Sequence, residues 1–504
     1  MNYRKIAGCL LFCCLCLISV QQSGAADFTN PPRIDEFLGE QGMTRAGRDF
    51  PILAVVSNPS EEAVEFRLEL ELPDGVKIVS SAVDSVSLAA GEKTTLRWTV
   101  TADRPLYEEI VLKIIVEDNL VAVGRLPVRF LEPREISGGG QIPEPVRKSD
   151  SRILVGIHNC PLWSGGNFNM WSQLKKHPER TPALGFYAQE NPEVADWETK
   201  WAVEHGVDFF IYCWYRDGQG CPVKQNHGSA IHEALFNSRF QNDIKFTIMW
   251  ENQVKGKAGV SDEADLMETL FPWWMENYFK RDNYLKVDNK PVLFIYRPEF
   301  LINDLGSDEN VRQAMNKMRE ACKKEGFDGM YILGENRGTD PNHLQLMKNL
   351  GLDYTFAYCW PVSNSPSPAE AIEAQKQKIL ETDSIGIIPQ VLTVSQAWSG
   401  WKDEGSIWKL PPDEFETLLR WAKAYIEKMP SEQLGSRMLI LDNWNEWGEG
   451  HYLLPYTEYG FGYLDAIRNV FSDLPKEHVD LIPEDVGMGP YDTIYRNWQE
   501  EQRR

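Results

Sequence analysis

The sequence predicts an α/β protein: a (β/α)8 barrel of the TIM type, preceded by a small all-β, immunoglobulin-like sandwich. Three observations carry this. After residue 151, eight short apolar runs alternate with amphipathic stretches. From about 28 to 131 the chain instead alternates apolar and polar residues with period two, and a Gly/Pro-rich stretch separates the two patterns.

Residues 1–25 come first. Arg4 and Lys5 precede an almost wholly apolar run over 6–20, and Ser23-Gly24-Ala25 supplies small residues before Ala26. This order predicts a cleaved signal peptide and an exported protein (periplasmic, cell-surface or secreted), because the run is too short for a membrane span. Ile6-Ala7-Gly8-Cys9 looks like a lipoprotein box, but Cys9 lies before the apolar run, so lipid anchoring is the lesser alternative.

The sandwich is predicted over 26–131. Phe66-Arg67-Leu68-Glu69-Leu70-Glu71-Leu72 alternates strictly and ends in the turn residues Pro73-Asp74-Gly75. Leu96 to Val100 and Val111 to Val116 repeat the theme, as half-buried antiparallel strands do. The region lacks His and Cys and reads as an accessory module, with sugar binding a lesser alternative. Residues 132–151, with Gly138-Gly139-Gly140, read as a linker and hinge.

The barrel domain is predicted over 152–504, with strands at 153–159, 207–215, 244–252, 291–297, 329–336, 354–360, 387–398 and 437–447. Helical stretches such as 193–205, 262–280, 311–325 and 413–429 fall between them. Near-continuous apolar strands separated by helices imply a parallel sheet buried on both faces. No Gly-rich phosphate loop follows the first strand, which argues against an open dinucleotide-binding sheet.

Composition narrows the function classes. Lys and Arg number 52 against 74 Asp and Glu, for a net charge of −22 and a pI near 4.9, which disfavours a nucleic-acid partner. With 17 Trp, 18 Tyr and 22 Phe the chain is rich in flat faces that suit cores and also sugar rings. Beyond the leader five cysteines remain: Cys160, Cys213, Cys221, Cys322 and Cys359. An odd number without a CxxC pair argues against a disulfide framework or a zinc site, and all five read as structural. No metal and no cofactor is expected.

In such barrels the active site gathers at the C-terminal ends of the strands. In order, those ends carry His158-Asn159, Trp214-Tyr215, Trp250-Glu251-Asn252, Tyr296-Arg297, Glu335-Asn336, Tyr358 with Trp360, Gln396 with Trp398, and Asn443-Trp444-Asn445-Glu446-Trp447-Gly448-Glu449-Gly450. A strand-end Asn alone is often a turn residue or helix cap; recurrence at equivalent positions is the informative fact. Candidate substrate-binding residues are Asn445, Trp447, Glu251, Asn252, Tyr215, Trp214, Tyr296, Glu335, Trp360 and His451. Glu335 also suits a mouth ion pair with Arg297, and Trp398 and Trp401 could line outer subsites.

The candidate catalytic pair is Glu446 and Glu449. If the chain makes a helical turn there, the two Cβ atoms lie about 5–6 Å apart on one side. Carboxylates that close push one pKa up, creating an acid beside a base, which is what glycosidic cleavage needs. The same spacing also suits two solvent-facing acids at a helix start; the flanking tryptophans favour the former.

Asn445-Glu446-Trp447-Gly448-Glu449-Gly450 resembles the N-E-W-x-E-G motif of glycoside hydrolase family 99 and the WbsX-type, family-99-like proteins. Gly185-Phe186-Tyr187, Ala202 through Phe209 into Trp214-Tyr215, and Lys290 through Tyr296 are similar to the early barrel of that group. The resemblance covers about residues 150–472. It implies a (β/α)8 fold and metal-independent, retaining cleavage of an α-mannoside-like bond. It further implies Glu446 as the base that deprotonates the sugar's own 2-hydroxyl, and Glu449 as acid and then base. The bottom-up geometry does not by itself exclude ordinary double displacement. The group usually continues E-G-x-x-L/I-E-P, whereas this chain reads Glu449-Gly450-His451-Tyr452-Leu453-Leu454-Pro455, with Leu454 in place of a carboxylate. His451 is a polar substitute or a satisfied structural histidine.

The expectation is therefore a secreted retaining glycoside hydrolase, endo-α-mannosidase-like, acting on a mannose- or rhamnose-like α-linkage in an oligosaccharide or polysaccharide. The alternative is a non-catalytic glycan-binding protein on the same scaffold. A glycosyltransferase using a nucleotide sugar is disfavoured by the signal peptide and by the lack of a phosphate cradle.

Overall fold

A computed structural model describes residues 30–80, 84–149, 152–400 and 406–491. The expected signal peptide and Trp401 lie outside the described residues. No described helix is long and apolar enough to cross a membrane.

The period-two region forms two sheets from β1 (Arg33–Gly39), β2 (Thr44–Arg45), β3 (Phe50–Ser57), β4 (Val64–Glu71), β5 (Val76–Ile78), β6 (Ser85–Leu88), β7 (Lys93–Ala102), β8 (Leu106–Val116) and β9 (Asn119–Leu131). One sheet runs β1-β3-β7-β5 and the other β2-β9-β8-β4-β6. Alternate residues bury one face of each. Ile52, Trp98 and Val100 of the first sheet share a core with Phe66, Leu68, Ile110, Leu112 and Leu126 of the second.

These layers dock on the barrel through buried polar contacts. Arg45 donates Nε to Asp485 Oδ1 at 3.0 Å, and its Nη2 pairs with Oδ2 at 2.5 Å. The Thr44 hydroxyl donates to Glu484 at 2.6 Å. Gly42 N–H donates to Pro182 O at 2.8 Å, and a Cβ there would meet Thr181 O at 2.2 Å, so only glycine permits this approach. The expected hinge is likewise tied down. Ser137 and Gly140 donate to the carbonyls of Asp485 and Val486, both at 2.7 Å, and Lys148 pairs with Asp208 at 2.8 Å.

The eight predicted barrel strands all form. They are β10 (Leu154–Asn159), β11 (Phe209–Arg216), β13 (Lys245–Trp250), β15 (Lys290–Ile295), β16 (Tyr331–Glu335), β17 (Tyr354–Phe356), β18 (Leu392–Val394) and β21 (Met438–Leu441), with short antiparallel additions β12 (Gln225–Asn226) on β11 and β14 (Lys286–Val287) on β15. The parallel order is β17-β16-β15-β13-β11-β10-β21-β18. Thr355 closes the ring: its N–H donates to Pro389 O at 3.0 Å and its carbonyl accepts from Val391 N–H at 2.8 Å. Small hairpins β19 (Ala397–Trp398) with β20 (Trp408–Lys409), and β22 (Asn445–Glu446) with β23 (His451–Tyr452), stand beyond strands β18 and β21. The helices include α1 (Phe168–Leu174), α2 (Pro192–Glu204), α3 (Phe271–Trp274), α4 (Leu301–Leu305), α5 (Asp308–Lys324), α6 (Pro341–Asn349), α7 (Pro368–Ile385), α8 (Pro412–Ile426) and α9 (Gly462–Phe471).

Strand parity sorts the side chains. Phe209, Ile211, Cys213, Met249, Phe294, Leu333, Phe356 and Ile440 fill the barrel interior. Their neighbours Phe210, Tyr212, Trp214, Ile248, Trp250, Leu293 and Leu441 pack outward in the larger core cluster that includes the helices.

Candidate active site

The pair Glu446 and Glu449 does not sit on a helical turn. Strands β22 and β23 pair antiparallel, Asn445 with Tyr452 and Glu446 with His451, so the motif is a hairpin whose tip is 447–450. Its return needs Gly450. The residue has φ +74°, accepts no Cβ because Ser399 O would lie 2.1 Å away, and donates its N–H to Glu446 O at 3.1 Å. Ser399 N–H donates to Glu449 O at 2.8 Å. The buried Arg180 guanidinium clasps both loops, donating to Ser399 O at 3.0 Å and Trp447 O at 3.1 Å.

Glu446 is buried, and Tyr358 OH lies between Asn443 Oδ1 at 3.1 Å and Glu446 Oε2 at 3.4 Å, with one hydrogen to give. Burial, followed by the charge of Glu449, raises the Glu446 carboxyl to about 7. Glu449 has a 43 % exposed side chain and holds His451 Nε2 against its Oε2 at 3.0 Å. Burial works against its ionisation, but the hydrogen bond and charge of His451 win and lower its pKa. His451 is fully buried, with Nδ1 3.4 Å from Asp442 Oδ2. Burial opposes its charge, yet Asp442 and Glu449 together raise it to about 9. The resting order is thus a Glu446 biased toward its protonated form, a Glu449 biased toward the carboxylate, and a His451 held positive between two carboxyl groups. This runs opposite to the roles the resemblance implies for the two glutamates.

The inward parity positions bring further groups to the mouth. Tyr215 feels the charges of Glu446 and Glu251, burial first raising its hydroxyl. Glu251 is buried with Oε2 unpartnered, and burial raises it to about 7. Tyr296 accepts a hydrogen bond from Arg337 Nη2 at 2.8 Å. Glu335 is 2 % exposed and pairs with Arg337 Nε, while Arg297 Nη1 stands 3.5 Å off. Trp398 lies over the His451 ring, centroids 5.4 Å apart. A cavity of about 340 Å³ opens beside Glu335 and Arg337, lined also by Arg297, Glu299 and Asn336.

Five expected binding residues are placed elsewhere. Trp214 is fully buried, points outward and donates to Tyr278 OH at 3.0 Å. Trp360 is 2 % exposed and donates to Thr393 O. Trp447 has no exposed surface and packs on Tyr452, centroids 4.3 Å apart. Asn252 clamps the end of the next strand, accepting from Arg297 N–H at 3.0 Å and donating to Arg297 O at 2.8 Å. Asn445 accepts from Cys160 N–H at 2.7 Å and donates to Asn159. These groups hold the scaffold: the amides and the indoles of Trp214 and Trp360 spend their hydrogen bonds there, and Trp447 its ring faces. Leu454 is also fully buried, its N–H on Trp444 O at 2.9 Å, so it presents nothing at the mouth.

Sequence reading missed Arg337 and Asp442. Arg337 follows the strand end Glu335-Asn336 and reaches back to Glu335, Tyr296 and, at 3.6 Å, the Cys359 sulfur. Asp442 lies two residues beyond the inward Ile440, and counting parity would have found it.

Two proteins called "Uncharacterized protein WxcX", from two strains of Xanthomonas campestris pv. campestris, are 23% identical over 365 residues, covering 64% of this chain and 49% of theirs. The chain thus spans about half the length of these curated relatives. Among solved structures, the GH99 endo-alpha-mannosidase from Bacteroides thetaiotaomicron matches at 16% identity, over 58% of this chain and 82% of that chain, with TM-score 0.39. The beta-glucuronidase from Parabacteroides merdae matches at 11% identity, over 88% of this chain and 53% of that chain, with TM-score 0.36. The family described as "Glycosyltransferase WbsX" matches residues 163–404 and 401–467, a span that takes in most of the barrel and the Glu446–Glu449 hairpin, and the chain belongs to that family.

Proposed function

We propose that this protein is an exported, retaining glycoside hydrolase that cleaves an α-linked, mannose- or rhamnose-like bond, with the N-terminal sheets as an accessory sandwich. The observation that carries the reading is one hairpin at the barrel mouth holding two carboxylates whose pKa values are pushed apart, Glu446 up to about 7 and Glu449 down. The resting protonation supports Glu446 as the acid and Glu449, steadied by His451, as the base. In the first step the sugar's 2-hydroxyl gives its proton to Glu449 and its oxygen attacks the anomeric carbon. The glycosidic bond breaks, and the leaving oxygen takes the Glu446 proton. Water then opens the 1,2-anhydro ring: Glu446 accepts a water proton, and Glu449 returns its proton to O2.

The family's description favours a second outcome on the same chemistry. If a sugar hydroxyl replaces water in the second step, the pair performs transfer instead of hydrolysis. Mass-spectrometric product profiles from α-mannan, α-rhamnan and N-glycans separate these outcomes, with and without added acceptor sugars, for wild type, Glu446→Gln and Glu449→Gln. Sugar release or transfer that neither variant impairs would remove the pair from the mechanism. Binding without any product would leave a glycan-binding protein.

A further inference from the structure

The barrel has a second histidine–carboxylate cluster, on the rim where the strands begin and so opposite the mouth. His205 caps the C-terminal end of α2, four residues before β11. Asp465 stands in the first turn of α9, and His478 and Asp480 belong to the tail that follows it. One ligand-type atom from each of the four lies within 4.8 Å of the others.

The ring nitrogens are sorted by their partners. His205 Nδ1 lies 2.6 Å from Trp201 O, and His478 Nδ1 lies 2.8 Å from Lys476 O. A carbonyl only accepts, so both Nδ1 atoms carry hydrogen and both Nε2 atoms of the neutral rings present lone pairs. Those Nε2 atoms face each other at 3.2 Å. Two lone pairs at that distance repel unless a cation or a shared proton lies between them. Around them, His205 Nε2 is 3.6 Å from Asp465 Oδ1 and 3.2 Å from Asp480 Oδ1, and His478 Nε2 is 3.2 Å from Asp465 Oδ1 and 3.4 Å from Asp480 Oδ2. Asp465 Oδ1 and Asp480 Oδ1 are buried atoms that receive no hydrogen bond.

Four ligands at about 2.0–2.2 Å from a tetrahedral ion lie about 3.3–3.6 Å from one another. The separations that involve a ring nitrogen, 3.2 to 3.6 Å, lie close to that figure, with Asp480 turning Oδ1 to His205 and Oδ2 to His478. The four ligand atoms lie within 4.8 Å of one another, so a small inward shift completes the shell. We propose that His205, Asp465, His478 and Asp480 form a structural zinc site that staples the C-terminal tail to α2 and α9. Two neutral imidazoles and two carboxylates suit Zn2+, cancel its charge, and fill all four positions, as a structural site does. Each histidine already has the carbonyl behind it that fixes the ligating tautomer. The staple has a purpose in the fold. A few residues further along this tail, Glu484 and Asp485 hold Thr44 and Arg45 of the N-terminal sheets.

The test is metal stoichiometry on the full chain, stripped with chelator and then given Zn2+ alone. Wild type is expected to retain about one zinc per chain by mass spectrometry and to gain a few degrees in Tm, by preferential binding to the native state. Co2+ in its place should give the intense visible band of a tetrahedral site. His478→Ala and Asp465→Asn, at partly exposed positions, should each lose at least about tenfold in affinity, together with the Tm gain and the band. Two results overturn the proposal: no stoichiometric zinc in wild type, which leaves a proton-held cluster, or equal binding by both variants, which places the metal elsewhere.

Discussion

The two ends of the barrel hold the same parts in different arrangements. At the mouth, His451 lies between Asp442 and Glu449, one carboxyl on each ring nitrogen. At the opposite rim, His205 lies by Asp465 and Asp480, but its Nδ1 is spent on a backbone carbonyl and the acids and His478 all converge on Nε2. Burial opposes the charge of His451, and its two flanking carboxylates raise it to about 9, whereas the carboxylates at the rim favour a positive charge seated between the two Nε2 atoms. Acids spread over two ring nitrogens stabilise an imidazolium, which holds a proton and orients a neighbour. Acids and a second imidazole gathered around one nitrogen make a coordination shell. Ring orientation, and not residue type, separates a proton site from a metal site.

The sharpest break of this comparison acts at the mouth. Glu446→Gln removes the proton donor and is expected to lower kcat by about 10²–10⁴-fold, while His478→Ala at the far rim leaves turnover unchanged. Equal losses in the two variants, measured on the same glycan, would unite the ends and sink the distinction. Next, His451→Ala leaves Asp442 buried beside no cation, at an expected cost of about 3–5 kcal/mol in denaturant unfolding. Because His451 is raised, its contribution is full below the ordinary imidazole pKa and fades as pH rises through about 9. A stability–pH profile unchanged by the substitution would mean that His451 carries no proton.

A third experiment reads the acid. Glu446 loses its proton as pH rises through about 7, so kcat/KM is expected to fall on that side. Glu449 raises Glu446 by charge, so Glu449→Gln should move that limb to lower pH in whatever activity remains; a limb that stays in place would detach the two groups. The smallest effect is expected from Gly450→Ala. It strains a φ of +74° and crowds Ser399 O, costing on the order of 1–3 kcal/mol and disturbing the mouth without touching the rim. Metal content and thermal melts of that variant check that the ends are independent.

Much of this was legible in the chain. The eight parallel strands follow from apolar runs separated by helical stretches, and the hairpin carboxylates from the hexapeptide at 445–450. The aromatic residues at the strand ends divide between mouth and core. Trp214 belongs to the core because neighbouring residues on a strand point to opposite faces, and Trp360, which lies past the end of β17, because its indole donates to Thr393 O on β18 and packs in the outer cluster. Trp214 shares its strand end with Tyr215, but the latter has the parity that turns it to the interior, where it feels the charges of Glu446 and Glu251. The amides of Asn252 and Asn445, which the strand-end pattern offers to sugar, are consumed by the backbone of Arg297 and by Cys160 N–H and the Asn159 side chain.

The periodicity and the motif by themselves determined that this chain makes a barrel with two glutamates at its last strand, since those are local features of hydrophobic pattern and spacing. Tertiary structure alone decided that the glutamates sit on a hairpin, that His451 joins one of them to Asp442, and that residues 205 and 478, distant in sequence, meet at their Nε2 atoms. Protonation and coordination depend on which atoms of separate segments come within about 3–4 Å in a dry environment, and no local pattern encodes that.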